Sequence, residues 1–218
     1  MNHTLTAVNE LLRLPSPAPY PQALAHDGTN LWMGSRETQR IYGINPTRFT
    51  VFEELPAPGT PWGMTVTGNA LRVVCGEPPD DNRFIRRYVM GHGFESNHRI
   101  PCPDDTGSYI AYGGDRLFLT QWYKQQILSL DDAGSVDRTV HVPHGICGIV
   151  CADEHCYLLT TDDEESNDYW ITRIDLHSDD PKSEDLARVG FAARSLAWDG
   201  ERFWTNHRDK HEIVAFAL

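Results

Sequence analysis

The sequence is poor in basic residues and contains no long apolar run. Its 218 residues include 31 Asp and Glu but only 19 Lys and Arg, which gives a formal net charge of -12 at pH 7. This excess of negative charge opposes binding to a phosphate backbone, so we expect no nucleic-acid partner. No apolar stretch approaches the roughly 20 residues that span a bilayer, so we expect no membrane partner either.

Secretion signals and a regular cysteine framework are also missing. The first residues, M-N-H-T-L-T-A-V-N-E-L-L-R, lack the basic start, the apolar centre and the cleavage site of a secretory signal. The cysteines are odd in number and irregularly spaced, which favours free thiols over disulfides. They are Cys75, Cys102, Cys147, Cys151 and Cys156. Together these features predict a cytoplasmic protein.

The chain carries none of the short motifs that mark common cofactors. It has no G-x-G-x-x-G, no P-loop and no C-x-x-C-H, so no cofactor is predicted and redox chemistry is disfavoured. Apolar residues make up 40% of the chain and aromatic residues 10%, which is typical of a globular protein. The length fits one all-β domain that covers residues 1–218.

A phrase of two short strands and a tight turn occurs five times. One copy reads S-L-A-W-D-G-E-R-F-W-T-N from Ser195, and each copy is a β-hairpin by its apolar runs and its Gly or Asp turn. The turn positions are Gly28, Gly68, Gly114, Asp153 and Gly200, which are 40, 46, 39 and 47 residues apart. This spacing is typical of the four-stranded blades of a β-propeller.

The two ends of the chain predict how the ring closes. A third and a fourth strand follow each hairpin, except that the last phrase has no fourth strand. The segment N-E-L-L-R-L-P-S-P from Asn9 resembles the fourth strand F-E-E-L-P-A-P of the first blade. We therefore predict an all-β, five-bladed propeller of four-stranded antiparallel blades, closed by the N-terminal strand. A β-sandwich would not explain this displaced strand.

The phrases L-A-W-D-G-E-R-F-W and T-Q-W-Y-K-Q-Q-I-L-S-L-D carry a resemblance to known proteins. They resemble the propeller group that contains NHL repeats, gluconolactonases, streptogramin lyases and plant-type glutaminyl cyclases. The resemblance implies architecture, since it rests on residues that build blades. Five blades is the number found in plant-type glutaminyl cyclases. No functional motif of these families is found, so no catalytic residue is carried over.

One face of the predicted propeller is chemically varied. The innermost hairpins are short, whereas the loops between second and third strands are longer and differ from blade to blade. The residues that begin the innermost strands are Gln22, Trp62, Ser108, Cys147 and Arg194. The second strands end at Ser35, Cys75, Gln121, Thr160 and His207, followed two residues on by Glu37, Glu77, Tyr123, Asp162 and Asp209. Since equivalent positions differ, we expect one asymmetric site on the axis.

These side chains suggest roles in catalysis and binding. The predicted catalytic residues are His207 as the proton-transfer group, Glu77 and Glu37 as bases, and Cys147 as a nucleophile. The predicted substrate-binding residues are Arg194, Trp62, Gln22, Ser108, Trp122, Tyr123, Gln121 and Asp162. Each of three residues also has an alternative without a role in function. Arg194 can pair with an acidic neighbour, His207 can be a solvated side chain, and Cys147 can be a small buried residue. Trp32, Trp198 and Trp204 repeat within the hairpins, so we assign them to the core.

Metal sites are suggested at two places and favoured at neither. His141, His144, Cys147 and Cys151 resemble a zinc cluster in sequence, but in a strand Cys147 and Cys151 would lie about 13 Å apart. The acidic run from Asp162 lacks the glycine of an EF-hand loop. No protein metal ligand is therefore predicted, and a Mg²⁺ or Ca²⁺ ion in the axial channel is left as an alternative.

We expect an enzyme that acts on a small metabolite at the mouth of the central channel. The mixture of His, Glu, Asp and Arg on one face favours acid/base chemistry of the lyase, cyclase or isomerase type. The alternative is a binding module without chemistry, for a small ligand or a protein partner. The residues do not determine an oligomeric state.

Overall fold

The computed structural model describes residues 5–218, and these form five sheets, each with four antiparallel blade strands, arranged as a five-bladed β-propeller. Two strands precede the first blade: β1 (Thr6–Ala7) and β2 (Asn9–Pro15). Blade one contains β3 (Pro21–His26), β4 (Leu31–Ser35), β5 (Arg40–Asn45) and β6 (Thr50–Pro56). Blade two contains β7 (Thr60–Thr67), β8 (Ala70–Glu77), β9 (Asn82–Val89) and β10 (Gly93–Pro101).

The remaining blades follow in chain order. Blade three contains β11 (Ile110–Gly113), β12 (Arg116–Gln121), β13 (Gln126–Leu130) and β14 (Val136–His141). Blade four contains β15 (Gly145–Ala152), β16 (His155–Thr161), β17 (Tyr169–Ile174) and β18 (Ser183–Val189). Blade five contains β19 (Ala193–Trp198), β20 (Phe203–His207) and β21 (Glu212–Ala217). Three short 3-10 helices span Pro103–Asp105, Trp122–Lys124 and Arg208–Lys210.

The N-terminal strand closes the ring, as the sequence predicted. Strand β2 pairs antiparallel with β21 and is the fourth strand of blade five. The innermost strands β3, β7, β11, β15 and β19 contact one another in a ring, and β19 contacts β3. The sequence did not reveal β1, which pairs in parallel with β18 at the outer edge of blade four. The N-terminal segment therefore joins two neighbouring blades.

The predicted turn residues have the backbone conformation that tight hairpins require. Gly28 has φ 92°, Gly68 60°, Gly114 55° and Gly200 101°, and Asp153 has φ 54°. Such positive φ values suit glycine and are tolerated by aspartate, whose side chain bonds its own backbone. The composition of the turns thus reflects a backbone requirement that all five blades share.

The repeated D-G and W positions are linked by hydrogen bonds. In blade one, Asp27 accepts bonds from the backbone N–H groups of Thr29 and Asn30 and, at 2.7 Å, from the indole N–H of Trp32. In blade five, Asp199 and Trp204 make the same 2.7 Å bond. Trp32 and Trp204 are buried as predicted, whereas Trp198 is only half-buried.

The hydrophobic core is divided into clusters that lie between neighbouring blades. Leu24 and Met33 of blade one pack with Trp204 and Ile213 of blade five. Glycines allow the innermost strands to approach closely: a Cβ on Gly63 would lie 2.6 Å from the backbone of Tyr109. Burial between blades, together with strand pairing within them, therefore holds the ring together.

The expectation of five free thiols is wrong for two of them. Cys151 and Cys156 are directly opposite each other on β15 and β16 and form a disulfide. They are five residues apart in the sequence, and the hairpin brings their Cα atoms to 4.0 Å. Spacing along the chain did not show this because the pairing depends on strand register. Cys75, Cys102 and Cys147 are free and buried.

The helices of the structure bear on the prediction that no segment spans a membrane. Within residues 5–218, no helix is long and apolar enough to cross a membrane. Residues 1–4, where the search for a secretory signal began, lie outside the described residues.

Candidate functional site

Three of the residues predicted to face the axis lie at β-bulges. The pairing register between first and second strands skips Gln22 in β3, Trp62 in β7 and Cys147 in β15. In β19 the register shifts after Arg194. A bulge leaves its extra residue unpaired and changes the direction of the side chain. The bulges in these strands therefore direct side chains out of the blade sheets near the axis.

A cavity of about 230 Å³ opens at the loop face of the axis. Six of the sequence-predicted residues line it: Gln22, Trp62, Ser108, Trp122, Tyr123 and Arg194. Six others complete the lining: Arg36, Arg83, Thr106, Tyr109, Glu164 and Arg208. The structure therefore brings together half of the twelve candidates and adds a set of arginines that the sequence reasoning had not named.

The opposite end of the axis holds a smaller cavity whose lining residues have mostly apolar side chains, with His26 and Thr65 among them. A cavity of about 130 Å³ there is lined by all five innermost strands, through residues that include Leu24, Met64, Tyr112, Ile149 and Leu196. It offers few groups that could hold or transform a polar ligand. The loop face is therefore the better candidate for a functional site.

Arg194 is the most deeply buried charged group at the loop face, with 1% of its surface exposed. Its Nη1 donates to the Tyr169 hydroxyl at 2.5 Å and to the Ala193 carbonyl at 2.8 Å. Its Nη2 lies 3.5 Å from the Glu164 carboxylate. The alternative in which Arg194 is paired within the protein therefore holds in part, because internal groups keep the guanidinium in place. It still lines the cavity, where its fixed orientation favours a planar anion.

Tyr109 and Gln22 form a polar pair in the cavity wall. The Gln22 side-chain N–H donates to the Tyr109 hydroxyl at 2.8 Å, and Arg208 donates to the side-chain Oε1 of Gln22 at 3.4 Å. Burial raises the pKa of Tyr109 well above its ordinary value. The phenol thus keeps its proton near neutral pH, and because its oxygen accepts from Gln22, that proton can be donated to a ligand.

Trp62 supports two guanidinium groups. Arg83 lies over the indole with its Cζ 3.9 Å from the ring centroid, and Arg36 lies over it at 4.9 Å. Asp81 holds Arg83 by a 2.7 Å ion pair, whereas Arg36 makes no ion pair within residues 5–218. The indole therefore places one neutralised and one unneutralised cation at the cavity.

Trp122 and Tyr123 form the opposite rim. A Cβ on Gly145 would lie 2.1 Å from the Trp122 ring, so the glycine permits close packing of the indole. Tyr123 is 93% exposed. One aromatic ring is therefore packed into the wall, while the other stands in solvent beside the entrance.

The charge of the cavity is opposite to that of the whole chain. Its lining has four arginines, Arg36, Arg83, Arg194 and Arg208, against one carboxylate, Glu164. The chain as a whole carries -12. Asp81 and Asp209 offset two of the arginines from outside the lining, and Asp209 does so at 3.5 Å. The lining of the cavity therefore carries a net positive charge, although the chain as a whole is negative.

Cys147 is not poised as a nucleophile. It is fully buried, and burial raises the pKa of its thiol to about 12. Its Sγ lies 3.9 Å from the Glu164 carboxylate. A thiol that stays protonated beside a carboxylate attacks poorly, so this position has the properties of a small buried residue.

His207 points away from the axis. Arg13 of β2 donates to its Nδ1 at 3.0 Å, and its ring stacks on Phe191 at 4.9 Å. Burial and the Arg13 charge lower its pKa, so the imidazole is neutral near pH 7. The structure does not place His207 in the axial cavity; it lies between the strands of its own blade.

Four other candidates also lie outside the axial cavity. Glu77 pairs with Arg86 at 3.1 Å and with Arg99 at 3.0 Å. Buried Gln121 donates to the carbonyls of Pro103 and Thr106. Asp162 accepts from His144 at 2.7 Å, and Glu37 lines a neighbouring cavity.

The residues that sequence reasoning missed have a simple positional signal. Arg36 and Arg208 each follow directly on the last residue of a second strand, as Trp122 does. Of the residues at this position, Trp122 was predicted from the sequence, whereas Arg36 and Arg208 were not. Glu164 belongs to the acidic run of blade four, which resembled a solvated loop. Its backbone carbonyl accepts from the Tyr169 hydroxyl at 3.0 Å, and this bond holds the loop at the axis.

The donor set of the loop face does not resemble a metal centre. Within residues 5–218, no three His, Cys, Asp or Glu side chains gather closely enough to bind an ion together. The axial cavity has one carboxylate among its lining residues, and Arg194 lies beside it. Hard cations require several oxygen ligands, so the residues present do not fit the Mg²⁺ or Ca²⁺ alternative.

Sequence comparison identifies no relative. No family model matches the chain, and no curated protein matches it. The structure, by contrast, is widely shared, since 935 chains of known structure resemble it.

The similar structures include enzymes of different chemistry. The glutaminyl cyclase of Myxococcus xanthus has a TM-score of 0.73 and 11% identity, over 99% of this chain and 98% of that one. A streptogramin B lyase has 0.55 and 18%, over 94% and 67%. The PQQ-bound aldose sugar dehydrogenase of Streptomyces coelicolor has 0.63 and 13%, over 96% and 97%.

These matches establish the architecture that the sequence predicted. The resemblance to the propeller group of glutaminyl cyclases and streptogramin lyases is confirmed at the level of fold. The chain spans 64% of a hydrazine synthase chain from Kuenenia stuttgartiensis, so some matched chains are considerably longer. At these identities the likeness shows the fold alone, because one fold carries many activities.

Proposed function

We propose that the protein is an enzyme of the lyase, cyclase or isomerase type that acts on a small anionic metabolite in the axial cavity. One observation carries this proposal: the buried Arg194 lies 3.5 Å from Glu164, the only carboxylate among the residues that line the cavity within residues 5–218. An anion site and a proton acceptor are thus side by side.

The arginines select a substrate with a negative charge and orient it in the cavity. Arg194 is held by Tyr169 and Ala193, so little side-chain freedom is lost when it binds a carboxylate or a phosphate. Arg36 and Arg208 can add hydrogen bonds from the entrance, and Trp62 supplies an apolar surface. Pre-ordered donors of this kind stabilise charge that develops during a reaction.

Glu164 takes the role of general base. Its carboxylate would remove a proton next to the anionic group of the substrate, and Arg194 would stabilise the negative charge that forms. The Tyr109 hydroxyl would donate a hydrogen bond to the same charge. The proton on Glu164 then returns to another atom in an isomerisation, or passes to the leaving group in an elimination or a cyclisation. These roles replace those we had expected for His207, Glu77 and Cys147.

The structural matches give limited support to this reaction class. The names of two matched proteins describe a cyclase and a lyase, and the cyclase superposes over nearly the whole of both chains. A third is a PQQ-bound dehydrogenase, so the fold by itself does not select acid/base chemistry. The proposal therefore depends on the cavity residues more than on the matches.

A binding module without chemistry is the second candidate. Tyr123 is 93% exposed at the rim, where exposed aromatic residues commonly mark contact surfaces. The Glu164 carboxylate also lies 3.5 Å from Arg194, an ion pair that a purely structural role for Glu164 would equally require. Either function would use the same arginines.

The test is a screen of small carboxylates and phosphates by thermal shift, followed by assays of turnover for each compound that raises the melting temperature. For a substrate found in this way, Glu164→Gln should lower kcat by about 10² to 10⁴ while binding persists. The matched control is Glu165→Gln, which changes the exposed neighbour in the same loop. Normal turnover by Glu164→Gln would overturn the assignment of the base, and binding without turnover of any ligand would favour the binding module.

A further inference from the structure

A second cavity of about 330 Å³ adjoins the axial one. It is lined by Tyr20, Arg36, Glu37 and Arg208, so the two cavities share Arg36 and Arg208. These arginines come from blades one and five, which meet where the ring closes. The loop face therefore has one elongated groove with two compartments, and the shared arginines lie between them.

The size of the axial compartment suggests that a ligand occupies both. At about 230 Å³ it is smaller than most ligand sites, which measure roughly 300 to 1,000 Å³. Together with the outer compartment, the groove reaches that range. A ligand bound at Arg194 can thus extend past the shared arginines without meeting the blade sheets.

Tyr20 is held in the outer compartment by its backbone. Its φ is 48°, a left-handed value that is uncommon for a bulky residue. Its N–H donates to Nδ1 of His211 at 3.0 Å, and its carbonyl accepts from the Arg36 N–H at 3.0 Å. The rings of Tyr20 and His211 meet edge to face at 5.1 Å. The aromatic ring is thus fixed in position while 42% of the residue stays exposed.

Among the described residues that line this compartment, Glu37 is the one carboxylate beside Arg36, whose guanidinium contacts Trp62, and Arg208, whose guanidinium contacts Asp209 and Gln22. Within residues 5–218, the Glu37 carboxylate makes no hydrogen bond and no ion pair, although Arg36 is its neighbour in sequence. Arg36 instead lies over Trp62. A free carboxylate near an aromatic ring is the arrangement that recognises an ammonium group, through an ion pair and a cation–π contact.

We infer that the ligand is bipolar, with an anionic group in the axial compartment and a primary ammonium group between Glu37 and Tyr20. This inference rests on the proposed function, because it uses the anion site at Arg194. It specifies the ligand further as an amino-bearing carboxylate or phosphate. The arginines between the compartments exclude a second cation from the middle of the molecule.

The experiment measures binding by titration calorimetry for two matched series. One series consists of unbranched ω-amino carboxylates, from glycine to 6-aminohexanoate, with the matching ω-aminoalkyl phosphates, and the other of the corresponding carboxylates and phosphates without the amine. At one chain length, the wild-type protein should bind the amino compound at least about tenfold more tightly, which is the ratio expected for one charge-assisted hydrogen bond. Glu37→Gln should remove this preference and leave the affinity for the plain carboxylate unchanged.

The variants separate the inference from the proposal beneath it. Glu201→Gln, on a hairpin at the opposite face, is the control and should bind like the wild type. Arg194→Met should weaken both series together. If wild type shows no preference for the amine, or Glu37→Gln affects both series equally, the bipolar ligand is wrong and the axial site stands. If Arg194→Met binds normally, or no compound of either series binds wild type, both the inference and the site are rejected.

Discussion

A single carboxylate, Asp199, organises a hairpin and a buried tryptophan in blade five. One oxygen accepts from the backbone N–H groups of Glu201 and Arg202, and the other accepts from the Trp204 indole and the Arg202 guanidinium. Burial alone would raise the pKa of Asp199, but these bonds lower it to about 2. The residue therefore favours the folded state in its charged form.

Acid should weaken the fold through Asp199. The folded pKa of about 2 is below the ordinary 3.8, so the stabilisation is complete above pH 4 and is lost as pH falls toward 2. The difference corresponds to roughly 2 kcal/mol. We expect Asp199→Asn to lower the free energy of unfolding at pH 7 by about this amount and to reduce its change between pH 4 and pH 2. Urea unfolding at several pH values measures both effects.

The control for this prediction lies in the same hairpin. Glu201 is exposed, and its side chain makes no hydrogen bond within residues 5–218, so Glu201→Gln should leave the pH profile unchanged. Asp27 makes the equivalent contacts in blade one and also has a lowered pKa. Some acid sensitivity should therefore remain in Asp199→Asn. A variant with the same stability as wild type at pH 7 would contradict the argument.

The hairpin of β15 and β16 shows what strand register adds to a sequence. The bond between Cys151 and Cys156 joins residues that face each other across this hairpin. Closing so short a loop restricts the unfolded chain and is worth about 2 kcal/mol in the chain-entropy treatment. The irregular spacing of the cysteines had favoured free thiols. Spacing along the chain does not show which residues lie opposite each other in a hairpin, so the disulfide was not predicted.

Thiol counting tests this element directly. Under denaturing conditions, the chain before reduction should react with a thiol reagent at three cysteines, and at all five after reduction. We expect reduction to lower the melting temperature of the native protein. The variant in which both Cys151 and Cys156 are serine should melt at the lower temperature and should not respond to reductant. Five reactive thiols before reduction, in protein prepared under oxidising conditions, would contradict the disulfide.

At the scale of the whole molecule, the fold depends on how the first residues join the last. Strand β2 supplies the fourth strand of blade five, and Arg13 within it bonds Glu212 at 2.7 Å. The preceding segment adds β1 to blade four, where the Val8 N–H donates to the Arg188 carbonyl at 2.8 Å. Two neighbouring blades are therefore held by one N-terminal segment.

Two truncations should separate these contributions. Removing residues 1–8 deletes β1 and the Val8 contact, and we expect the melting temperature to fall by only a few degrees. Removing residues 1–15 also deletes β2 and exposes the edge of β21, so we expect loss of cooperative unfolding and a tendency to aggregate. Circular dichroism melts measure both, and a synthetic peptide of residues 1–17 should restore the longer truncation. Equal melting of both truncations would show that β2 does not close the ring.

Local sequence patterns were sufficient to predict the architecture, and they located part of the site. The spacing of the turn residues predicted five blades, and the displaced N-terminal strand predicted how the ring closes. Both predictions were possible because each blade repeats the same local requirements. Alignment of the repeats also placed Gln22, Trp62, Ser108 and Arg194 near the axis, where the cavity lies.

The charged groups that meet at the axis could not be predicted from the sequence and are known from the packing of the blades. His207 and Glu77 are the last residues of strands β20 and β8, yet Arg13 holds His207, and Arg86 and Arg99 hold Glu77, away from the cavity. Arg36, Arg208 and Glu164 turn inward from loops, and Arg194 of blade five donates to the backbone carbonyl of Glu164 in blade four at 3.3 Å. The physical reason is that hydrogen bonds within a blade repeat with the sequence period. The direction of a loop side chain depends on partners far away along the chain, and no local pattern encodes these.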